Sequence, residues 1–137
     1  MAAYEVVRTA EIQPILEDGG KVKNYCLFPD DENRKFSVYY MELAPGSHWQ
    51  SEPHLRGTTE FVTLFAGAIE ITADQKDIVV QAGESIRFQG DTPHAYRNIS
   101  DQTTILHMIL RQMCIRDSRC IAAARAFSLS PPTPPRA

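Results

Sequence analysis

From Lys35 to Arg111 the chain alternates short apolar runs with polar breaks, and almost none of the runs carries a helical period. Lys35 to Leu43 (KFSVYYMEL) is rich in β-branched and aromatic residues, with Phe36, Val38 and Tyr40 on one face and Ser37, Tyr39, Met41 and Leu43 on the other. Glu60 to Ala66 followed by Ala68 to Ala73 predicts a hairpin turning near Gly67. Asp74 to Asp77 is the next turn and leads into Ile78, Val79 and Val80. Ser85 to Phe88 follows Gly83, Gly90 to Pro93 is a turn, and His94 to Ile99 and Thr103 to Arg111 close the series. Upstream, Tyr4 to Thr9 and Lys21 to Phe28 read as strands, with a loop and one helical turn between them. Ser47 to His54 is expected to be extended, because Pro53 is poorly placed for a helix. The total is about eight to ten strands at a spacing of roughly eight to twelve residues, which predicts an all-β sandwich or closed barrel.

Length and composition change this picture little. The 137 residues, 43% hydrophobic, suit one ordinary domain with a packed core. Cys26, Cys114 and Cys120 make an odd set that forms no disulfide framework, so free thiols are expected. Cys26 reads as an inert strand residue, since no neighbouring base is evident. The opening residues lack a charged start followed by an apolar run, and no apolar stretch approaches the roughly eighteen residues of a membrane span. A soluble, cytoplasmic protein without membrane partners is the expectation.

The net charge of −3 is unevenly placed. Residues 113–137 hold four arginines and one aspartate, leaving ten basic against sixteen acidic residues in the body. A body at −6 would be repelled by phosphate backbones, so no nucleic-acid binding is expected from this chain alone. After Arg111 the texture changes: residues 113–137 lose strand alternation and end rich in proline, which predicts a disordered tail. Within it, Met113 to Ser118 (MCIRDS) resembles the translation of a transposon end used in sequencing-library adapters. The tail is therefore expected to be non-native, with the natural sequence departing near Gln112.

Candidate chemistry sits in two polar clusters, Pro45 to Gly67 (PGSHWQSEPHLRGTTEFVTLFAG) and Gly83 to Asn98 (GESIRFQGDTPHAYRN). In the first, Glu60 and Gly67 stand six residues apart with His54 upstream; in the second, Gly83, His94 and Asn98 stand in order. These spacings resemble the two motifs of the cupins. The resemblance covers about Phe36 to Arg111 and implies a double-stranded β-helix, the cupin jelly-roll barrel. Three features depart from the family pattern. Arg56 occupies the place of the second histidine, the spacer from Gly46 to His54 is two residues longer than usual, and Gln89 and Asp91 replace the usual proline and glycine, with Gly90 as a partial substitute. The implied division is 1–35 as strands and loops leading into the barrel, 36–112 as the barrel, and 113–137 as the tail.

Strand periodicity agrees with this reading. Glu60 shares a face with Val62, Leu64 and Ala66, and His94 shares one with Tyr96 and Asn98, so both can meet inside a barrel. His54, Glu60 and His94 together would supply two imidazoles and a carboxylate, a set that suits one divalent metal: iron, manganese or zinc. Arg56 cannot ligate a cation but offers a fork of donors for a carboxylate or phosphate. The residues therefore allow either a metal site or a metal-free pocket in which Arg56, Glu60, His94 and Tyr96 bind a small polar or anionic ligand. His48 reads as a surface residue, His107 as a buried core histidine, and Asn98 as structural, tying down the turn after its strand. Gly46, Gly67, Gly83 and Gly90 are assigned to turns.

A narrower resemblance links SEPHLRGTTEFVTLFAG, AGESIRFQGDTPHAYRNIS and the opening YEVVRTAE to the C-terminal cupin half of Xre-like helix-turn-helix regulators. It implies an effector-sensing module whose DNA-binding half is absent, more a binding protein than an enzyme. The alternative is a free-standing metal-dependent cupin enzyme of dioxygenase or isomerase type. A homodimer is expected, with Phe61 and Phe65 as candidate interface residues or as cover for a second sheet.

Overall fold

A computed structural model describes residues 2–112. The tail expected to be disordered and non-native, with Cys114 and Cys120, lies outside the described residues.

Ten strands form two sheets. They are β1 (Ile15–Glu17), β2 (Val22–Phe28), β3 (Phe36–Leu43), β4 (His48–Ser51), β5 (Thr59–Ala66), β6 (Ala68–Ala73), β7 (Lys76–Gln81), β8 (Ser85–Gln89), β9 (His94–Asn98) and β10 (Thr104–Arg111). The larger sheet runs β1-β2-β3-β10-β5-β8 and the smaller β4-β9-β6-β7, with every pairing antiparallel. Residues 1–35 thus contribute β1 and β2 to the larger sheet. Among the described residues no helix is long and apolar enough to cross a membrane.

Alternation on the central strands builds the core. Tyr39, Met41 and Leu43 of β3, Val62 and Leu64 of β5, and Leu106, Met108 and Leu110 of β10 project from the larger sheet. Trp49, Tyr96, Ile69, Ile71 and Val80 face them from the smaller one. A one-residue slip in any strand would turn this set to solvent, so burial of one face fixes the register.

Three expectations of local structure are corrected. The stretch expected to hold only a loop and a helical turn contains β1, which pairs with β2. Tyr4 to Thr9 forms no strand; Tyr4 and Val6 are exposed and only a short 3-10 turn, Thr9–Glu11, follows. Strand-forming residues alone do not make a strand without a neighbour to complete its ladder. Nor do β5 and β6 form a hairpin: β5 pairs with β10 and β8, whereas β6 pairs with β7 and β9. Gly67 is where the chain crosses between sheets. Its φ is +79°, and a Cβ there would lie 2.3 Å from Thr104 Oγ1, so both the backbone bend and the close approach demand glycine.

Candidate metal centre

Three side chains reach one point between the sheets at one end of the sandwich. Glu60, near the start of β5, points inward from the larger sheet, between Leu110 of β10 and Phe88 of β8. His94 opens β9 of the smaller sheet, opposite Ser51 and Ala73. His54 arrives on the loop between β4 and β5. That loop is fastened by its backbone. The His54 N–H donates to Gly90 O at 2.8 Å, the Gly90 N–H donates to Thr58 O at 2.8 Å, and the Gly57 N–H donates to Asp91 Oδ2 at 3.0 Å.

His94 Nε2 lies 2.6 Å from Glu60 Oε2, and His54 Nε2 lies 3.3 Å from the same oxygen. One ligand atom from each residue falls within 4.8 Å of the others. Glu60 is fully buried and His94 is 2% exposed. The His94 Nδ1 atom is 2.8 Å from Thr92 O. A carbonyl only accepts, so Nδ1 carries a proton and Nε2 turns towards the carboxylate. A lone pair facing a carboxylate oxygen at this distance is repulsive. The contact calls for positive charge between the two atoms, supplied by a proton on Nε2 or by a cation. The donor set, its burial and the carbonyl that orients His94 all fit a divalent metal.

The remaining carboxylate oxygen is already engaged: the Tyr96 hydroxyl donates to Glu60 Oε1. Tyr96 is fully buried, stacked on Trp49 with ring centroids 5.1 Å apart, and its hydroxyl also lies 3.6 Å from Met108 Sδ. Phe88 meets the His94 ring edge-on at 5.3 Å. The site therefore has an aromatic floor, and Oε2 is the carboxylate oxygen that faces the two histidines.

The electrostatics follow from this packing. Burial pushes the Glu60 carboxyl up, but hydrogen bonds and charge from His54 and His94 outweigh it and hold the group at about 2. Burial pushes the His94 imidazole down, yet hydrogen bonding and charge from Glu60, with help from Thr92 O, raise it above its ordinary value. Tyr96 is raised, first by burial and then by the Glu60 charge.

The structure brings His54, Glu60, His94 and Tyr96 together. Arg56 is not among them: it is exposed in the turn closed by the Thr58 N–H to Leu55 O bond at 3.0 Å. The Tyr96 hydroxyl is spent on Glu60. His48 is exposed as expected. His107 does share a face with Ile105 and Ile109, but that face looks outward; the ring is half-buried beside Phe65, and Leu106 and Met108 take the core. Phe65 is 63% exposed on the same outer face, so it does not cover the second sheet. Asn98 ties down its turn, donating to Leu43 O and Gln102 O at 2.8 Å each and accepting from the Ser100 N–H and Oγ. The half-buried Cys26 thiol is pushed up by burial and by Asp30, which suits an unreactive strand residue. Sequence reading missed the Thr92 carbonyl and the part played by Gly90 and Asp91. A backbone carbonyl carries no side-chain signal, and Asp91 had appeared only as a departure from pattern.

Comparison with known proteins decides the family, because the model of the cupin domain matches residues 39–110. The chain belongs to the cupins. Among characterised proteins, this cupin is 32% identical over 84 residues to the HTH-type transcriptional regulator SutR of Escherichia coli K12, a match over 61% of the chain. The chain spans about half the length of that curated relative, the match covering 47% of it. Among solved structures, it is similar to the cupin domain of an XRE family transcriptional regulator from Enterobacter cloacae, with 35% identity, a TM-score of 0.64, and coverage of 67% of this chain and 97% of that one. An HTH_3 family transcriptional regulator from Vibrio cholerae shares the fold at 24% identity and a TM-score of 0.67, over 76% of this chain and 57% of that one. A predicted oxalate decarboxylase from Thermotoga maritima also shares it, at 20% identity and a TM-score of 0.68, over 80% of this chain and all of that one.

Proposed function

We propose that this cupin is the effector-sensing part of a transcriptional regulator. One observation carries the reading: 35% identity along 97% of a cupin domain that belongs to an XRE family regulator. The ligand would be a small polar or anionic molecule entering the end of the sandwich where His54, Glu60 and His94 meet. Arg56 at the rim would attract its negative group, and Glu60, His94 and Tyr96 would form the polar floor. The proposed state is a cytoplasmic homodimer, and DNA contact would fall to a part of the regulator outside these residues. A ligand could act only through unequal affinity for two states of the whole protein.

His54, Glu60 and His94 are the residues that would hold a metal. Such an ion would supply Lewis acidity and open positions for the oxygen atoms of a ligand. The chain's own part is to keep the donors in place: Thr92 O fixes the His94 tautomer and Tyr96 restrains Oε1 of Glu60. That same set of donors supports a second reading, a metal-dependent cupin enzyme.

Isothermal titration of the full chain with small carboxylates and sugar phosphates, with and without manganese or zinc, separates the two readings. Saturable binding that Glu60→Gln abolishes supports sensing. Turnover of any of these compounds by the metal-loaded chain replaces it with the enzymatic reading.

A further inference from the structure

Six of the seven glycines have positive φ: Gly19, Gly20, Gly46, Gly57, Gly67 and Gly83. Gly90 does not, so no left-handed backbone demands glycine there. Space explains the glycine instead. A Cβ at position 90 would lie 2.9 Å from Glu60 Oε2, 2.9 Å from His54 Cδ2 and 3.3 Å from Glu60 Cγ. The oxygen it would crowd is the one towards which both histidines turn. Gly90 also fastens the loop that carries His54, accepting from the His54 N–H and donating to Thr58 O.

We propose that Gly90 is a positioning residue of the centre: its backbone sets His54, and its missing side chain keeps open the space beside Glu60 Oε2 in which a cation or a ligand group is held. The inference rests on reading this cluster as a binding site. It differs from a turn role because it predicts damage at the site rather than in the turn.

The test is a cobalt(II) titration of the full chain, followed by visible absorption, with thermal unfolding measured in parallel. Gly90→Ala should weaken cobalt binding roughly tenfold or more and alter the absorption bands, the size seen when supports of metal ligands are removed. Gly46→Ala, at φ +74° with nothing within 4 Å, is the control: it should lose stability and keep wild-type cobalt affinity. Unchanged affinity and bands in Gly90→Ala overturn the proposal. If the wild type takes up no cobalt, the metal reading fails, and the proposal is judged by the ring-nitrogen shifts of His54 and His94 in nuclear magnetic resonance. Movement of both on Gly90→Ala supports it, and identical spectra overturn it. If Gly90→Ala does not fold, His54→Ala combined with Gly90→Ala removes part of the crowding and should restore folding. A double variant as unstable as the single one overturns the proposal.

Discussion

The Tyr96 hydroxyl donates its hydrogen bond to Oε1 of Glu60, joining the floor of the smaller sheet to a fully buried carboxylate of the larger. Tyr96→Phe removes the donor and keeps the ring on Trp49. It leaves a charged acceptor buried without that partner, which costs about 1–3 kcal/mol. Urea unfolding should register this loss, and the Glu60 carboxyl should titrate higher than in the wild type by carbon-13 resonance. An unchanged Glu60 titration would show that the hydroxyl does not hold the carboxylate.

Glu60→Gln tests the centre itself. It removes the negative charge and leaves two imidazoles with an amide. Zinc affinity measured by competition with a chromophoric chelator should fall by more than about a hundredfold, beyond the range seen for outer supports. His94 should also titrate lower than in the wild type, because Glu60 contributes most of what raises it, ahead of Thr92 O.

The pH dependence of the metal-free protein has two arms of opposite sign. Glu60 is held at about 2 against 4.5 for the free group, so its contribution is present above pH 4.5 and is lost as pH falls from there towards 2. His94 is raised above 6.5, so its contribution is complete below 6.5 and is lost as pH rises through its folded value. Melting temperature in a chelating buffer should therefore peak between these arms. Zinc, which competes with the proton on His94, should move the peak to higher pH. A peak that zinc leaves in place would count against His94 as a ligand.

Asn98→Ala removes four hydrogen bonds that connect the end of β9 to Leu43, Ser100 and Gln102. At about 0.5–1.5 kcal/mol for each, with buried carbonyls left behind, the loss should be roughly 2–4 kcal/mol. Guanidinium unfolding measures it. Zinc affinity of the folded fraction should stay at the wild-type level, since Asn98 touches none of the three donors.

Much of this was legible because alternation is a local property. The inward set on β3, β5 and β10 follows from which residues share a face, and the resemblance of their spacing to the two cupin motifs marked His54, Glu60 and His94 as candidate donors. What resisted reading depends on neighbours far away in sequence. Gly67 looks like a hairpin turn until Thr104 is seen against it and β10 takes the place beside β5. His107 fits an apolar face, but only the sheet order shows that this face is the outer one. Tyr4 to Thr9 has strand-forming residues and no ladder to join. The tautomer of His94 turns on a carbonyl, and nothing in a side-chain pattern marks it.

Glu60 belongs to one layer of the sandwich; His94 and Tyr96 belong to the other. The centre is consequently a rivet through the molecule, whether a proton or an ion completes it. Each ligand that binds the folded state alone adds stability by mass action. Here that gain would fall on the seam where the layers part, so filling the centre would slow amide hydrogen exchange in β5 and β9 together. Occupancy of a small polar site would then be felt as stiffness across the whole domain.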